Sequence, residues 1–369
     1  MRRDRADDQV LNRADRHYRG GVAAPRGARR TRGGLRRRLV LTLLVVLAVA
    51  VVGIALLWGR VAAFNDKVST ASSLSSSLLL PLNGSDRVNV LMLGYSGASH
   101  DGTYLSDSIN ILSIDPRTNT TTTIPIPRDL WIEGESALPD NGKVNEVFAA
   151  GYLNGGIDEG GRAAAEVLSD VTGLKIDHWM AIDFVGFQEM VDAVGGVTVD
   201  NPRPFAYTTD EDFYNRGIFN SGSFPKGKLE LDGARALAYT RARYTNDPAE
   251  ASDFARSVRQ SRVLAALKTK LGAGGPGSLG PGLELMSAME GRMRTDLSAV
   301  DLFLLMGHLG SDRRIELSED EILQATTNTI GQYVLAVIGR ATPSDYEPLK
   351  AYIRERLDEP IAKRASPAP

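Results

Sequence analysis

The stretch HWMAIDFVGFQEMVDAVGGVTVDN, residues 178–201, combines two kinds of hydrophobic pattern. Its ends, HWMAID (178–183) and GVTVDN (196–201), are short apolar runs of the kind that form strands. Between them, residues 183–194 carry apolar side chains at the three- to four-residue spacing of an amphipathic helix. A strand, a helix and a second strand in this order are typical of a sheet with helices packed against it. The stretch therefore predicts an α/β fold.

Three more strands are predicted before this unit. RVNVLMLG (87–94) is an apolar run closed by a glycine, and SINILSID (108–115) and TTTTIPIP (120–127) are rich in β-branched residues. Helical spacing of apolar residues follows at about 145–154 and 160–172. We expect the strands to be neighbours in one sheet.

The second half of the chain is predicted to be mainly helical. Two helices are expected at about 232–244 and 251–271, and the glycine-rich GAGGPGSLGPG (272–282) is predicted to be a linker. Residues 283–369 form a C-terminal extension of unassigned role. It has further helical patterns, a short strand QYVLAV and a last helix SDYEPLKAYIRERL.

The N-terminal region has the composition of a membrane anchor. Residues 1–38 hold thirteen arginines and four aspartates, and residues 39–58 contain no charge. Twenty helical residues at about 1.5 Å each span a hydrocarbon core of about 30 Å. The preceding arginines predict a cytoplasmic N-terminus and an extracytoplasmic remainder. A cleaved signal peptide and a DNA-binding arm are the alternative interpretations.

Two further features narrow the possible chemistry. The serine-rich residues 59–86 lack sustained periodicity and are predicted to form a stalk between the membrane and the domain. The chain has no cysteine, which excludes disulfides, thiol catalysis and thiolate metal sites. The exported domain must therefore be stabilised by its hydrophobic core.

The segment 239–262 contains an unusual number of arginines. The second predicted helix places four polar residues, Asp253, Arg256, Arg259 and Gln260, at spacings of about three or four, hence on one face. Guanidinium groups stay protonated and bind phosphate oxygens in pairs, so a cluster of them suits an anion site. A solvated basic face balanced by nearby acidic residues is the alternative. The arginines of the segment are Arg241, Arg243, Arg256, Arg259 and Arg262.

Seven sequence blocks in order resemble the catalytic domain of the LytR-CpsA-Psr family of cell-envelope phosphotransferases. They cover about residues 88–270 and read NVLMLG, LSDSINILSIDPRTN, IPIPRDLWI, KVNEVFAAG, IDHWMAIDFVGFQEMVDAVGGVTVD, LDGARALAYTRARY and DFARSVRQ. The resemblance implies an α/β/α sandwich with a mixed central sheet and an apolar groove for a lipid. It also implies an enzyme that moves a glycopolymer from polyprenyl pyrophosphate onto peptidoglycan through a phosphodiester, normally with Mg²⁺.

One departure from the family pattern concerns the metal site. Many members have an aspartate and an arginine soon after the first strand, in a pattern like G-x-D-x-R, whereas this chain has Ser96 at the expected aspartate. Asp107 is the firmer candidate metal ligand, and Asp101 in SHDG is a second one that could substitute for the missing carboxylate. An aspartate at the start of a strand is also common as a turn or capping residue.

The resemblance and the chemistry together assign roles to the remaining polar residues. A pyrophosphate needs fixed cations, and an attacking sugar hydroxyl benefits from a general base. Asp253 is the candidate base, with an N-terminal helix cap as its structural alternative, and His100 is another possible base. The predicted catalytic residues are Arg128, Arg241, Asp253 and Arg256, and the predicted substrate-binding residues are Arg243, Arg259, Gln260, Lys143 and Asn145.

The expected partners are a polyprenyl-pyrophosphate-linked glycan, peptidoglycan and membrane lipid, without nucleic acid. Four apolar residues at helical spacing, Phe184, Phe187, Met190 and Val191, are either core or part of the lipid groove. Hydrolysis of the pyrophosphate by water would use the same arginines and metal. A regulator or glycan-binding module is a third possibility, but residues 1–38 have no helix-turn-helix pattern.

Overall fold

The structure is a computed structural model, and it describes residues 32–71, 87–97, 104–118, 120–134, 138, 141–273, 279–306, 308 and 313–359. The chain divides into two compact units, Met1–Leu57 and Trp58–Pro369. Each unit has its own composition: the first is basic and apolar, and the second carries the α/β fold.

The described part of the first unit is helical. Helix α1, Arg32–Val68, contains the segment Thr42–Val68, which is long and apolar enough to cross a membrane and has a mean hydropathy of 2.6. The apolar side chains of residues 43–56 are exposed, as expected for a helix whose surroundings are lipid. Among the described residues this is the one helix that meets those criteria. The predicted apolar segment 39–58 therefore falls within a helix of membrane-spanning length.

The second unit is built on a six-stranded mixed sheet, with strands in the order β12-β6-β1-β2-β3-β13. Its first strand, β1, pairs antiparallel with β2 and parallel with β6, so Val90 lies between Leu112 and His178. Alternate residues of β1 point to opposite faces, and both faces are covered. The strands are β1 Val88–Tyr95, β2 Ser106–Asp115, β3 Thr120–Pro125, β6 His178–Asp183, β12 Met293–Thr295 and β13 Arg313–Arg314.

One face of this sheet is covered by α2 (Glu146–Thr172) and α9 (Glu347–Asp358). A kink at Gly155 and Gly156 divides α2 into the two helices that were predicted. The second half lies very close to the sheet, since a Cβ at Gly161 would be 2.3 Å from the indole of Trp179. The opposite face packs against α8 (Ala299–Met306) through a separate apolar cluster. The predicted α/β/α sandwich with a mixed sheet is confirmed.

The strand predicted at 196–201 forms, but it is not part of the central sheet. This strand, β7 (Val197–Asn201), pairs antiparallel with β10 (Gly227–Leu231). The β7–β10 pair packs with three helices around its own core, which includes Val191 and Tyr239. These helices are α3 (Phe184–Ala193), α5 (Gly233–Arg241) and α6 (Asp253–Ala273). The strands predicted at 87–94, 108–115 and 120–127 are neighbours in the central sheet, as expected. The strand–helix–strand unit at 178–201 instead joins two sheets, because β7 pairs with β10.

A second small sheet has the order β11-β8-β9 and lies beside the short helix α4 (Glu211–Asn215). Its strands are β8 Phe205–Thr208, β9 Gly222–Phe224 and β11 Tyr244–Thr245. Strand β11 begins soon after α5, which ends at Arg241 because Ala242 adopts an extended ψ of 113°. The predicted helix over 232–244 is therefore three residues too long, and Arg243 lies in the connection.

Segments outside the predicted catalytic region also pack onto it. Phe64 and Val68, in the predicted stalk, are buried in a cluster with Met293, and Ser69 forms a bridge with Thr295. Helix α7 (Leu279–Met289) follows the predicted linker, of which residues 274–278 lie outside the described part. The remaining strands are β4 Trp131–Ile132, β5 Gly142–Lys143, β14 Leu323–Thr327 and β15 Tyr333–Val337. As functional divisions, the boundaries at 86, 271 and 282 stay predictions.

Candidate active site

A cavity of about 760 Å³ lies over one face of the sheet, next to α3, α5 and α6. Its lining contains both apolar and charged side chains. Many of the lining side chains are apolar, and they include Met92, Met180, Ile182, Phe187, Leu237, Leu264, Met289 and Met293. The polar and charged lining includes Asp107, Ser108, Arg128, Arg241, Arg243, Arg256 and Gln260. A cavity of this size and composition can hold a ligand that is apolar at one end and anionic at the other.

Two arginines meet at one carboxylate in this cavity. Arg128 Nη1 donates to Asp107 Oδ1 over 3.0 Å, and Arg241 Nη2 lies 3.8 Å from Asp107 Oδ2. Arg128 follows β3, Asp107 lies in β2 and Arg241 ends α5, so three separate elements bring these charges together. Two guanidinium groups around one carboxylate leave an excess of positive charge. The group is therefore suited to bind a further anion.

The pKa of Arg241 is lowered, first by burial and then by the charge of Arg128, while Asp107 acts in the opposite direction. A guanidinium titrates so far above neutral pH that Arg241 remains a cation. Its guanidinium carbon also lies 4.1 Å from the centroid of the Phe184 ring. The ring face attracts the cation and restricts its orientation. Arg241 is thus positioned before any ligand binds.

Lys143 is linked to Arg128 through a second carboxylate, that of Asp129. Lys143 Nζ donates to Asp129 Oδ1 over 2.5 Å, and Arg128 Nε lies 3.4 Å from Asp129 Oδ2. Burial alone would raise the pKa of Asp129, but the hydrogen bond from Lys143 and the charges of Arg128 and Arg243 lower it overall. Asp129 is therefore ionised, and it fixes the positions of Lys143 and Arg128 by contacting both. Lys143, predicted to bind substrate, contacts the site through Asp129.

Asn145 connects the same loops through its backbone. Its N–H donates to the carbonyl of Arg128, and its own carbonyl accepts from the N–H of Ser106. The residue is buried and immediately precedes α2. Asn145 was predicted to bind substrate, and the contacts that it makes here position Arg128 and the start of β2.

Helix α6 contributes Arg256 and Gln260 to the cavity, one turn apart. Arg256 is largely buried and lines the cavity, and the Oε1 of Gln260 accepts a hydrogen bond from Ser108 Oγ over 3.0 Å. Arg243 also lines the cavity and lies over the ring of Tyr244 at 5.5 Å. The structure therefore brings together six of the predicted polar residues, which are Asp107, Arg128, Arg241, Arg243, Arg256 and Gln260.

Arg259 does not join them. Its side chain is 0% exposed, and it is not part of the cavity lining. Its guanidinium donates to the carbonyls of Tyr239, Ala242 and Glu250 and to the carboxylate of Glu250 at 2.7 Å. The prediction that Arg259 binds substrate is corrected here. A buried guanidinium with four acceptors fixes the connection between α5 and α6.

The side chains of three predicted site residues lie outside the described part of the structure: the candidate metal ligand Asp101 and the candidate bases His100 and Asp253. Asp101 and His100 lie outside the described residues. Asp253 is the first residue of α6, but its side chain is likewise not described. Ser96, at the position where the family pattern has an aspartate, is buried at the end of β1. The roles of Asp253 and Asp101 stay predictions.

The apolar side of the cavity is unusually rich in methionine. Met92, Met180, Met190, Met289 and Met293 line it, out of eight methionines in the chain. Methionine side chains are unbranched and adaptable, so they can pack around a flexible chain such as an isoprenoid. Phe184, Phe187 and Met190 also line the cavity, whereas Val191 is fully buried in the core between α3 and β7. The spacing of these residues could not separate the two roles, because both kinds of surface are apolar.

Asp107 suits one mode of Mg²⁺ binding, in which a single carboxylate acts together with water and substrate phosphates. The described residues contain no group of three histidine, aspartate or glutamate side chains close enough to hold a metal ion. Magnesium commonly uses one or two carboxylates together with water and substrate phosphates. Asp107, whose side chain is 29% exposed to the cavity, fits that mode. Asp183 also lines the cavity, but its Oδ1 accepts from the N–H of Gly186 as the cap of α3.

The fold and the cavity define a class of α/β/α proteins that hold an arginine–carboxylate cluster next to an apolar pocket. The sequence matches the LytR_cpsA_psr family over residues 60–340. This is most of the chain, and the protein belongs to that family. The matched region begins in α1 and includes β12 to β15, and so extends beyond the blocks at 88–270 that carried the resemblance.

Relatives in this family are transferases by name. A polyisoprenyl-teichoic acid–peptidoglycan teichoic acid transferase TagU from Enterococcus faecalis is 30% identical over 72% of this chain and 80% of its own length. The protein of that name from Oceanobacillus iheyensis is 29% identical over 80% of this chain and 87% of its own. These names agree with the predicted class of glycopolymer–peptidoglycan transferase.

Solved structures share the fold. The structure of B. subtilis TagV superposes with a TM-score of 0.54 and 22% identity, covering 74% of this chain and 98% of its own. A structure described as TagT bound to LIIa-WTA gives a TM-score of 0.52 at 21% identity, covering 79% of this chain and 99% of its own. At these identities the likeness concerns the fold.

Proposed function

We propose that this protein is a membrane-anchored phosphotransferase that moves a glycopolymer from polyprenyl pyrophosphate onto peptidoglycan. The observation that carries the proposal is the meeting of Arg128 and Arg241 at Asp107, in a cavity that is otherwise lined largely by apolar side chains. A polyprenyl pyrophosphate has the matching form, since a dianionic head is joined directly to an apolar tail. The names of the relatives support the same assignment.

The arginines would bind the pyrophosphate and the methionine-lined part of the cavity would bind the prenyl chain. Arg128 contacts Oδ1 of Asp107, Arg241 lies nearest Oδ2, and Arg256 of α6 lines the same cavity. Fixed cations in a partly desolvated site stabilise the negative charge that increases on the leaving phosphate. This arrangement needs little reorganisation, because Asp107, Asp129 and the Phe184 ring already orient the guanidinium groups.

The proposed reaction is an in-line displacement at phosphorus. The oxygen of a peptidoglycan sugar hydroxyl forms a bond to the phosphorus that bears the glycan. The bond from that phosphorus to the bridging oxygen breaks, and polyprenyl phosphate leaves with the electron pair. The hydroxyl proton passes to a base, for which Asp253 at the start of α6, three residues before Arg256, remains the candidate.

Magnesium is part of the proposal. Asp107 would hold it, together with oxygens of the pyrophosphate, and Asp101 is the second proposed ligand. When bound, the ion would neutralise charge on the phosphates. The guanidinium groups of Arg128 and Arg241 would bind other oxygens of the pyrophosphate.

The proposed location is a single-pass membrane protein with a cytoplasmic N-terminus and an extracytoplasmic catalytic domain. The candidate span Thr42–Val68 and the arginines that precede residue 39 support this orientation. Lipid-linked donors and peptidoglycan would then both be accessible from the outer leaflet.

The test uses the full chain in detergent micelles with a synthetic polyprenyl-pyrophosphate oligosaccharide, Mg²⁺ and peptidoglycan fragments. We expect release of polyprenyl phosphate together with a new glycan phosphodiester on the acceptor. Arg241→Ala should lower turnover by about 100- to 1,000-fold, because one charged donor to the leaving phosphate is lost. Release of polyprenyl phosphate at the same rate without acceptor, and with no new phosphodiester, would identify a hydrolase instead.

The matched control is Arg235→Ala. Arg235 also lies on α5, but it is exposed and lies over the ring of Phe224 outside the cavity lining. We expect this variant to retain turnover close to that of the unmodified protein. Equal losses in the two variants would show that turnover depends on α5 in general and not on the charge at Asp107.

A further inference from the structure

Three aromatic side chains form a partly exposed cluster where the small β11-β8-β9 sheet meets α4. Tyr214 of α4 lies 5.2 Å from Tyr244 of β11 and 6.1 Å from Phe219, measured between ring centroids. Tyr214 is 38% exposed, and its neighbour Ile218 is 41% exposed. Contiguous exposed aromatic surface on a soluble domain is a common sign of a binding site. We call Tyr214, Phe219 and Tyr244 the aromatic cluster.

The aromatic cluster is continuous with the cavity. Tyr244 lines the cavity, and it follows Arg243, whose guanidinium lies over the Tyr244 ring. Arg128 lines the same cavity, so Tyr244 shares one lining with Arg128 and Arg243. A ligand whose anionic group is held by Arg128 and Arg243 would therefore extend over Tyr244 towards Tyr214.

The surroundings of the cluster are acidic. Helix α4 with its two flanking residues, 210–216, contains three carboxylates and one guanidinium. Glu211 Oε2 accepts the hydroxyl hydrogen of Tyr244 over 3.0 Å, and Asp212 is exposed. Carboxylates and tyrosine hydroxyls can bind sugar hydroxyls, and like charge disfavours a second anion here. With Arg243 over the Tyr244 ring included, three carboxylates face two guanidinium groups, so the surface combines apolar ring faces and hydrogen-bonding groups with a small excess of negative charge.

We infer that the aromatic cluster is a subsite for an uncharged pyranose ring of the donor glycan, adjacent to the pyrophosphate. The inference rests on the proposed function, because the pyrophosphate determines where the glycan begins. The apolar C–H face of the pyranose packs on Tyr214 and Tyr244, and its hydroxyls bind Glu211 and Asp212. The subsite favours an uncharged sugar over one that carries a carboxylate or a phosphate.

The test measures binding to the full chain of three ligands: polyprenyl pyrophosphate, the same lipid with an uncharged disaccharide, and the same lipid with a uronic-acid disaccharide. We expect Tyr214→Ala to weaken binding of the uncharged disaccharide lipid about five- to tenfold, the equivalent of one aromatic contact. Binding of the lipid without sugar should not change. Phe219→Ala should act in the same direction, and Tyr244→Phe should keep most of the affinity because the ring remains.

Tyr333→Ala is the matched control. Tyr333 is 49% exposed and its hydroxyl also donates to a glutamate, Glu319, but it lies on β15 and does not line the cavity. This variant should bind all three lipids like the unmodified protein. The inference is overturned if Tyr214→Ala binds sugar-bearing and sugar-free lipids with unchanged affinities, or if the unmodified protein binds the uronic-acid lipid as tightly as the uncharged one.

The same samples separate this inference from the proposed function. Release of polyprenyl phosphate and formation of the glycan phosphodiester report on the transferase, whereas the affinities report on the subsite. An inactive protein that still loses affinity for the uncharged disaccharide on Tyr214→Ala would contradict the transferase and retain the subsite. An active protein that keeps its affinity for the uncharged disaccharide lipid on Tyr214→Ala would support the transferase and contradict the subsite.

Discussion

Asp107 Oδ1 accepts a hydrogen bond of 3.0 Å from Arg128 Nη1, and this contact joins β2 to the segment that follows β3 in the lining of the cavity. Asp107 is therefore both an anchor for Arg128 and an open carboxylate toward the cavity. Its two possible tasks, orientation of the arginines and binding of Mg²⁺, can be separated by experiment.

Asp107→Asn should lower turnover by about 100-fold or more, since the amide keeps a hydrogen-bond acceptor for Arg128 but loses the charge. If Asp107 binds Mg²⁺, the Mg²⁺ concentration for half-maximal turnover should rise as well. Titration of turnover against Mg²⁺ measures both effects. A reduced turnover with an unchanged Mg²⁺ requirement would leave Asp107 as an anchor only.

Arg259→Ala should unfold the domain more readily, unlike Arg241→Ala. Arg259 is buried against Glu250, and removal of one partner of a buried ion pair costs about 3–5 kcal/mol because the other charge stays buried. Urea denaturation of the two variants gives the comparison. A stable Arg259→Ala variant with lowered affinity for polyprenyl pyrophosphate would return Arg259 to the list of substrate-binding residues.

Because of the ion pairs of Asp129, the free energy of unfolding should depend on pH in the acid range. Its folded-state pKa is lower than the ordinary value of about 3.9, so the stabilisation is complete above that pH and is lost as the pH falls through the folded-state pKa. Asp129→Asn should therefore lower the free energy of unfolding at pH 7. The difference from the unmodified protein should shrink when the pH falls below about 4. A difference that stays constant down to pH 2 would contradict the lowered pKa.

A larger side chain in the apolar lining should discriminate between long and short lipids. Ala238 of α5 lines the cavity, and Ala238→Phe would fill part of its volume. We expect a higher KM for a long polyprenyl donor and little change for a donor with one or two isoprene units. The ratio of the two KM values is the measurement. An unchanged ratio would place the prenyl chain elsewhere.

Many of the elements could be predicted because strand and helix patterns are local. The apolar run in 87–94, the β-branched runs after it and the helix at 183–194 depend on neighbouring residues only. Partner choice could not be predicted in the same way. Strand β7 has the pattern of a sheet strand, and nothing in it distinguishes β10 from the central sheet as its partner.

The site was likewise predictable where it depends on local sequence and unpredictable where it depends on tertiary packing. Arg128 and Asp107 were assigned from their positions beside predicted strands and from the family resemblance, and they do meet. Asp129, which holds Lys143 and Arg128, was missed. An acidic residue directly after Arg128 was the available signal, but only the packing of β5 against β4 brings Lys143 to it.

The sequence alone determined the family, the α/β class, the membrane-length apolar segment and the arginine-rich character of the proposed anion site, because each depends on residue type and order. Tertiary structure alone decided which arginines reach that site. Arg256 and Arg259 are three residues apart on one helix, yet Arg256 lines the cavity and Arg259 is enclosed by Tyr239, Ala242 and Glu250. Their environments differ because α6 packs against α5 and the loop before it, and those neighbours are brought there by the fold.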